Sequence, residues 1–322
     1  MNNTCEGLII YSNASLYRIL LDDTKEVISA KASGILRYQK LDALSSFNKS
    51  KSEKTKKEKS IIQISPKVGD KCIIETNNGI NYIKEIKERK SSLVRPDVAN
   101  IDISLILFSA TAPVFSFVLL DQFLLIMKEK NIKPVLVVSK IDLVTKSELD
   151  LLKEQLSYYN KYLDLDIFYV NSKQSDTLLP LRDIFKGKIT VITGQTGTGK
   201  STMLNALSPS LELKTSAISV ALGRGKHTTR HYELFNLFDG FICDTPGFSK
   251  IELSIKKEDE LKDYYDDFVV LSKSCKFGYS CKHTKEIGCN VINEYKNGTI
   301  LKSRYDNYIM FYEKMKERKK IY

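Results

Sequence analysis

The sequence has no apolar run long enough to cross a membrane, since a spanning helix needs about 18 or more apolar residues. Its best candidate, residues 114–127, is interrupted by Asp121 and Gln122. The first residues also lack the basic and apolar regions of a signal peptide. These absences exclude a membrane protein and a secreted one, and they predict a cytoplasmic protein without a membrane partner.

Acidic residues are in deficit, with 39 Asp and Glu against 50 Lys and Arg, so the formal net charge is +11. Such an excess favours an anionic partner, nucleic acid before a membrane surface. Charge alone leaves nucleic-acid binding open, because much of the excess is lysine and can reflect genome composition. With 42% hydrophobic residues, the 322 residues suffice for the cores of two or three domains.

A phosphate-binding loop is the clearest motif of the chain. Residues 194–201 fit the pattern G-x-x-x-x-G-K-[ST], with a predicted buried strand before them and a predicted helix after them. Glycines let backbone N–H groups face an anion, while Lys200 reaches the terminal phosphates and Ser201 binds Mg²⁺. A glycine-rich turn without function is the alternative. The predicted nucleotide contacts are Gly194, Gln195, Thr196, Gly197, Thr198, Gly199, Lys200, Ser201 and Thr202.

A second phosphate motif, Asp-Thr-Pro-Gly at residues 244–247, follows an apolar strand. Asp244 is placed to hold Mg²⁺ through water, and the N–H of Gly247 is placed to approach a γ-phosphate. Four residues alone are a weak signal. Their position downstream of a phosphate loop makes the pair specific for a nucleotide-hydrolysing site.

Base recognition is predicted at two loops that each follow a strand. Ser139, Lys140 and Asp142 look like the guanine-reading Asn-Lys-x-Asp motif, with serine in place of asparagine. Asp142 can accept hydrogen bonds from guanine N1 and N2, which adenine cannot offer. The short hydroxyl of Ser139 leaves open whether the contact to the base or to the phosphate loop is kept. The second loop resembles the Ser-Ala-Lys loop of GTPases and comprises Asn171, Ser172 and Lys173.

The order of these motifs is unusual, because both base-reading loops precede the phosphate loop. In an ordinary GTPase the phosphate loop comes first. Alternating strands and helices after residue 96 predict a parallel sheet, and all the site loops would leave the same edge of it. Joining the chain ends elsewhere keeps such a site intact, so the pattern indicates a circularly permuted P-loop GTPase core.

The N-terminal part contains short β-rich runs separated by turn signals. They predict a small β-barrel, and an OB-fold would suit a basic protein, with another small antiparallel sheet as the alternative. The Lys-rich residues 48–60 contain nothing that a core could bury, and we expect a solvated loop between strands. Contact with RNA phosphates and no function at all both stay open for this insert.

Near the C-terminus, Cys275, Cys281, His283 and Cys289 offer three thiolates and an imidazole. Such a set suits one structural zinc ion, and chance clustering is the alternative.

Cys5, Cys72 and Cys243 have no partner at ligand spacing and are expected to be small buried side chains. A final helix is predicted with an apolar stripe that favours packing, made of Tyr305, Tyr308, Ile309, Tyr312 and Met315.

In this order the motifs resemble the ribosome small-subunit-dependent GTPase A (RsgA, YjeQ) family over nearly the whole chain. Further residues that carry the resemblance are Val68-Gly69-Asp70, Arg95-Pro96, Ala99-Asn100-Ile101-Asp102, His227-Thr228-Thr229 and Arg304-Tyr305. The resemblance implies an OB-fold on ribosomal RNA, a permuted GTPase domain and a C-terminal helical zinc domain, here at residues 1–92, 93–256 and 257–322. It also implies a monomer that acts in late maturation of the small ribosomal subunit and hydrolyses GTP when that subunit stimulates it.

The family usually has four residues between its first two cysteines and this chain has five. The sequence therefore leaves open whether Cys275 is a ligand.

The activation of water is predicted to involve His227. Many GTPases place a glutamine after the Asp-x-x-Gly motif, but Phe248 stands there and has no polar group. His227 lies beside the switch threonines and its family counterpart has been proposed for this role, so we expect catalysis by His227, Lys200 and Thr229, with Thr228 or Thr229 joining Ser201 on Mg²⁺. A histidine that only packs or touches RNA is the alternative.

For the whole protein, the alternatives are a P-loop ATPase and a nucleotide-gated RNA-binding module with negligible turnover.

Overall fold

The computed structural model describes residues 4–13, 15–34, 36, 39–40, 61–62, 65–93, 97–208, 232–244, 253–255 and 257–318. The predictions for the insert 48–60, for His227, Thr228 and Thr229, and for Gly247 lie outside these residues, and only the backbone of Asp244 is described. Within the described ranges, no helix combines the length and the apolar character that a membrane span requires.

The described residues form two compact units. The first contains those of Met1–Asp102, Asp183–Val191 and Glu212–Phe248, and the second those of Ile103–Arg182, Ile192–Leu211 and Ser249–Tyr322. This division follows contacts rather than the domain boundaries predicted from the sequence.

The N-terminal strands of the first unit form a closed five-stranded barrel. Their order is β1-β2-β3-β7-β6, with β6 also paired to β1, and only β3 and β7 run parallel. This OB-type barrel confirms the predicted fold, and its core includes the fully buried Ile9, Ile19, Ile74 and Ile83. The strands, including a separate β4–β5 pair, are β1 Thr4–Asn13, β2 Leu16–Leu21, β3 Val27–Ala32, β4 Gln39–Lys40, β5 Ile61–Ile62, β6 Lys71–Asn77 and β7 Ile80–Ile86.

Two of the motifs that carry the family resemblance contact each other in the first unit. Gly69 has φ +90°, and a Cβ there would lie 2.1 Å from the Ala99 carbonyl oxygen, so only glycine fits. The Asn100 side-chain amide donates to the Gly69 carbonyl oxygen over 2.9 Å. Buried Asp70 accepts hydrogen bonds from the Arg89 guanidinium at 2.7 Å. These residues therefore stabilise the fold of the first unit.

Strands and helices alternate through residues 103–207, as the sequence predicted. The first helix begins at Phe117, because Ser116 caps it by accepting the Leu119 N–H. The remaining elements are β8 Ile103–Ser109, α1 Phe117–Lys130, β9 Lys133–Ser139, α2 Lys146–Leu163, β10 Asp166–Tyr169, α3 Leu179–Phe185, β11 Ile189–Gly194, α4 Lys200–Leu207, β12 Tyr232–Leu237, β13 Gly240–Asp244, α5 Asp266–Ser272, α6 Asn290–Lys296 and α7 Lys302–Arg318.

In the second unit, β10, β9 and β8 pair in parallel, and the end of β11 lies next to β8. Every residue of β8 is buried, which agrees with a parallel sheet covered on both faces. In the first unit β12 and β13 pair antiparallel instead of parallel. The reason is the two-residue turn between them, Phe238-Asp239, in which both residues have positive φ as a tight hairpin requires.

A buried ion network joins α7 to α1 and α5 in the second unit. Arg304 on α7 donates to Asp121 on α1 over 2.7 Å and to both carboxylate oxygens of Asp267 on α5 over 3.0 and 3.1 Å. The Tyr158 hydroxyl donates to Asp267 over 2.8 Å, and Asn307 donates to Asp121 over 2.7 Å. Asp121, which interrupts the apolar run of α1, is therefore part of the packing between these helices.

Candidate nucleotide site and metal centre

The phosphate loop connects β11 to α4, and its glycines adopt conformations that other residues avoid. Gly194 has φ +138°, and a Cβ there would lie 2.2 Å from the Leu107 carbonyl oxygen. Gly197 and Gly199 have φ +86° and +91°, and Gly199 is the N-cap of α4. The loop thus ends at a helix N-terminus, where free backbone N–H groups favour an anion.

Two side chains hold the phosphate loop in shape. The Lys200 ammonium donates to the carbonyl oxygens of Gly194 and Gln195 over 3.0 and 2.7 Å. Thr198 is fully buried, and its hydroxyl donates to the Gln195 carbonyl oxygen over 2.9 Å. Ser201 and Thr202 are exposed at the start of α4. Lys200 therefore lies over the loop, where phosphate oxygens could replace the carbonyl oxygens as its acceptors.

Ser139 keeps one of the two contacts that the sequence left open. Its Oγ lies 2.6 Å from the carbonyl oxygen of Thr198 in the phosphate loop and 3.1 Å from that of Phe108. A hydroxyl has one hydrogen to donate, and the shorter distance favours Thr198. Because the side chain is also buried, the contact that serine retains is the one to the phosphate loop.

Lys140 makes a second link between the base-reading loop and the phosphate loop. Its ammonium donates to the Gly197 carbonyl oxygen over 2.6 Å and to the Ala112 carbonyl oxygen over 2.5 Å. Ala112 has no recognisable signal in the sequence, because a backbone carbonyl takes part whatever the side chain is. The loop after β8 therefore also belongs to this site.

Asp142 and the loop after β10 lie together, as the sequence predicted. The Lys173 ammonium lies 2.9 Å from Asp142 Oδ2, and its hydrogen bond holds the pKa of that carboxyl below the usual range. Asn171 is buried and accepts the Lys173 backbone N–H on its side-chain oxygen over 3.0 Å, with Ser172 between them. Thr177, which the sequence analysis missed, accepts the Asn171 N–H over 3.0 Å. Asp142 is thus an ionised acceptor held by an ordered loop.

The four predicted metal ligands form one buried cluster, and their ligand atoms all lie within 4.8 Å of one another. Cys275 Sγ lies 3.8 Å from His283 Nδ1 and 3.9 Å from Cys289 Sγ, and the latter two atoms are 3.3 Å apart. Ligand atoms around tetrahedral zinc lie about 3.5–3.8 Å apart, as Zn–S and Zn–N bonds of about 2.3 and 2.0 Å require. The set fits a tetrahedral ion, and Cys275 belongs to it despite the longer spacing to Cys281.

The surroundings of the cluster affect the protonation of its four side chains. Burial raises the pKa of the Cys281 and Cys289 thiols, which favours neutral thiols unless a cation is present. Burial lowers the pKa of His283 to about 4 and keeps its imidazole neutral, the form that binds metals. The backbone N–H groups of Asn290 and Ile292 point at the sulfurs of Cys275 and Cys289 over 3.2 and 3.4 Å.

The aromatic stripe of α7 packs against the loop that carries the cluster. Tyr305 and Tyr308 are buried, and their hydroxyls donate to the carbonyl oxygens of His283 and Lys282 over 2.9 and 2.6 Å. The stripe therefore serves packing, as the sequence favoured.

Of the remaining cysteines, Cys72 and Cys243 are buried as expected, while Cys5 is only partly buried.

Comparison with known proteins identifies the family. A model described as RsgA GTPase matches residues 86–254. The "Small ribosomal subunit biogenesis GTPase RsgA" of Onion yellows phytoplasma is 43% identical, with 98% of this chain and 99% of the relative covered. The protein of the same name from Bacillus subtilis is 36% identical, with 98% and 99% covered.

Solved structures agree with this result. The structure titled as YloQ, a circularly permuted GTPase, is 32% identical with a TM-score of 0.76 and covers 98% of this chain and 96% of its own. YjeQ from Thermotoga maritima is 26% identical, also with a TM-score of 0.76, and covers 97% and 99%. The chain described here therefore belongs to the RsgA GTPase family.

Proposed function

We propose that this protein hydrolyses GTP while it acts on the small ribosomal subunit during the maturation of that subunit. The main support is the convergence of the base-reading and phosphate loops, joined by Ser139 to Thr198 and by Lys140 to Gly197. Two relatives that match nearly the whole chain are named as small ribosomal subunit biogenesis GTPases, and the net charge of +11 suits an RNA-rich partner.

Each side chain of the site has a proposed role in this reaction. Lys200 and the loop N–H groups neutralise phosphate charge, while Asp142 selects guanine with the support of residues 171–173. Ser201 binds Mg²⁺ together with Thr228 or Thr229, and Asp244 holds the ion through water. The Gly247 N–H approaches the γ-phosphate. His227 orients the attacking water, because Phe248 has no group that could do so.

We also propose that Cys275, Cys281, His283 and Cys289 bind one structural zinc ion, which their mutual distances support. An OB-fold at residues 1–92 would contact ribosomal RNA, residues 93–256 would form the GTPase domain, and residues 257–322 the zinc domain. The protein would act as a monomer in the cytoplasm, where ribosomal subunits mature.

The proposed function is tested by GTP and ATP turnover, each measured with and without purified small subunits. We expect slow GTP hydrolysis by the free protein and a marked acceleration by subunits, because a partner that orders the switch would place His227. His227→Ala should keep GTP affinity and subunit binding but lose most of the stimulated turnover. Equal use of ATP would favour the ATPase alternative, and subunit binding without any turnover would favour the RNA-binding module.

Ser139→Ala is expected to weaken GTP binding about 2- to 10-fold, because the link to the Thr198 carbonyl oxygen is lost and one hydrogen bond contributes about 0.5–1.5 kcal/mol. Titration calorimetry measures the change, and Ser15→Ala, at an exposed barrel position, is the control. Unchanged GTP affinity in Ser139→Ala would show that the link does not support nucleotide binding.

A further inference from the structure

Lys262 is a buried lysine beside the metal centre. It lies in the short helix Glu258–Tyr264, and only 8% of the residue is exposed. Its ammonium donates to the carbonyl oxygen of the ligand residue Cys281 over 3.0 Å and to that of Tyr279. It also lies 4.4 Å from the centre of the Tyr279 ring. The side chain is thus held against the loop that carries the ligands.

Lys262 forms no direct ion pair in the part of the chain that the structure describes, although its charge adds to that of Lys282 in lowering the pKa of Asp259. Nearby acids are engaged elsewhere, since Asp259 pairs with Lys282 at 2.9 Å and Asp263 accepts the Tyr279 hydroxyl at 3.0 Å. Carbonyl oxygens and a ring face satisfy the hydrogen bonds but do not neutralise the charge. A buried cation is costly without a compensating negative charge.

The metal centre supplies such a charge if it binds zinc, and the inference therefore rests on the proposed zinc site. A divalent ion with three thiolates and a neutral imidazole carries a net charge of −1. Backbone N–H groups point at the sulfurs of Cys275 and Cys289, but these groups carry no full charge. The Lys262 ammonium, with a charge of +1, and the metal centre, with a charge of −1, would then lie next to each other in the protein interior.

We propose that Lys262 is a positioning residue of the metal centre: it balances the negative charge of the zinc–thiolate group and, through the Cys281 carbonyl oxygen, fixes the loop of that ligand. Zinc would stay bound because, once it left and the thiols became neutral, the buried charge of Lys262 would have no compensating negative charge. Lys262 touches no ligand atom and takes no part in GTP hydrolysis.

The test uses the full-length protein loaded with zinc and follows the release of the metal to a chromophoric chelator. Lys262→Gln keeps hydrogen-bond donors but removes the charge, and we expect release about 10-fold faster or more, as for other residues that support metal ligands. Lys262→Arg keeps the charge and should release zinc at a rate close to that of the original protein. Lys285→Gln removes an exposed charge between His283 and Cys289 and serves as the control.

Cobalt(II) loading gives a second readout, because the thiolate-to-cobalt absorption reports on the ligand set itself. We expect the glutamine variant to need more cobalt for the same absorption. Release and absorption unchanged in Lys262→Gln, or equally impaired in Lys262→Arg, would overturn the proposal. If Lys262→Gln and Lys262→Met both fail to fold while Lys262→Arg folds and keeps zinc, the requirement for charge is supported, whereas failure of all three would overturn it.

Zinc content and GTP turnover of the unchanged protein separate this inference from the proposals on which it rests. One zinc ion per chain with unaltered release in the variants would contradict only the role of Lys262. Absence of zinc after loading would contradict the zinc site and this inference together. GTP turnover would test the nucleotide site alone.

Discussion

Replacing Arg304 with methionine is expected to lower the free energy of unfolding by about 3–5 kcal/mol. Arg304 and its two carboxylate partners have side chains at most 1% exposed. Removing the guanidinium leaves two buried carboxylates without a cation. The cost of keeping these charged groups away from water is then no longer offset by any attraction. Methionine retains most of the apolar stem, so the loss would reflect charge rather than a cavity.

The aromatic surroundings of Arg304 make this expectation stronger. The guanidinium carbon lies 4.0 Å from the centre of the Tyr265 ring and 5.7 Å from that of Tyr159. Burial raises the pKa of Asp121, which shows how unfavourable its environment is for a charge. Rings and packed helices leave little room for water to replace the missing cation.

Urea unfolding followed by circular dichroism measures the effect. Lys302→Met removes an ion pair on the same helix, but Lys302 and Asp306 have side chains 77% and 47% exposed, so no measurable change in stability is expected. Adding Asp121→Asn to Arg304→Met should restore part of the stability by removing one uncompensated charge. A loss below about 1 kcal/mol in Arg304→Met would contradict the role given to this network.

Asp142→Asn is expected to lower GTP affinity at least about 100-fold and to give a preference for xanthine nucleotides. In the proposed binding mode the carboxylate would accept hydrogen bonds from guanine N1 and N2, whereas an amide would present a donor to the base. Xanthine has an oxygen in place of the guanine amino group, so it matches the amide instead. Ser139 donates its single hydroxyl hydrogen to the Thr198 carbonyl oxygen of the phosphate loop. We therefore expect base selection to depend mainly on Asp142.

Direct titration with GTP, XTP and ATP measures this change. Asp150→Asn, at an exposed position of α2, controls for the loss of one negative charge. Lys173→Met controls for the loss of the ion pair with Asp142, and it should weaken GTP binding without any gain for XTP. An Asp142→Asn variant that still prefers GTP would exclude Asp142 as the residue that selects the base.

Most elements and the order of the motifs could be predicted from local sequence patterns alone. Buried strands, amphipathic helices and the glycine-rich loop leave local patterns, and the permuted order is simply their order along the chain. Cysteine and histidine spacing likewise predicted a cluster that the structure brings together. The strand β3 could not be predicted in this way, because Ala30 alone of its six residues is buried and no clear alternation remains.

The contacts between distant polar groups could not be predicted from the sequence, because they depend on tertiary packing. Ser139 reaches a backbone carbonyl 59 positions away, and Arg304 pairs with Asp121 across 183 positions. From the sequence, Lys262 would be expected to face solvent on a charged helix. In the structure it is buried beside the metal cluster. Such contacts have no local period, because a buried polar group is satisfied by whatever the packing of other elements places next to it.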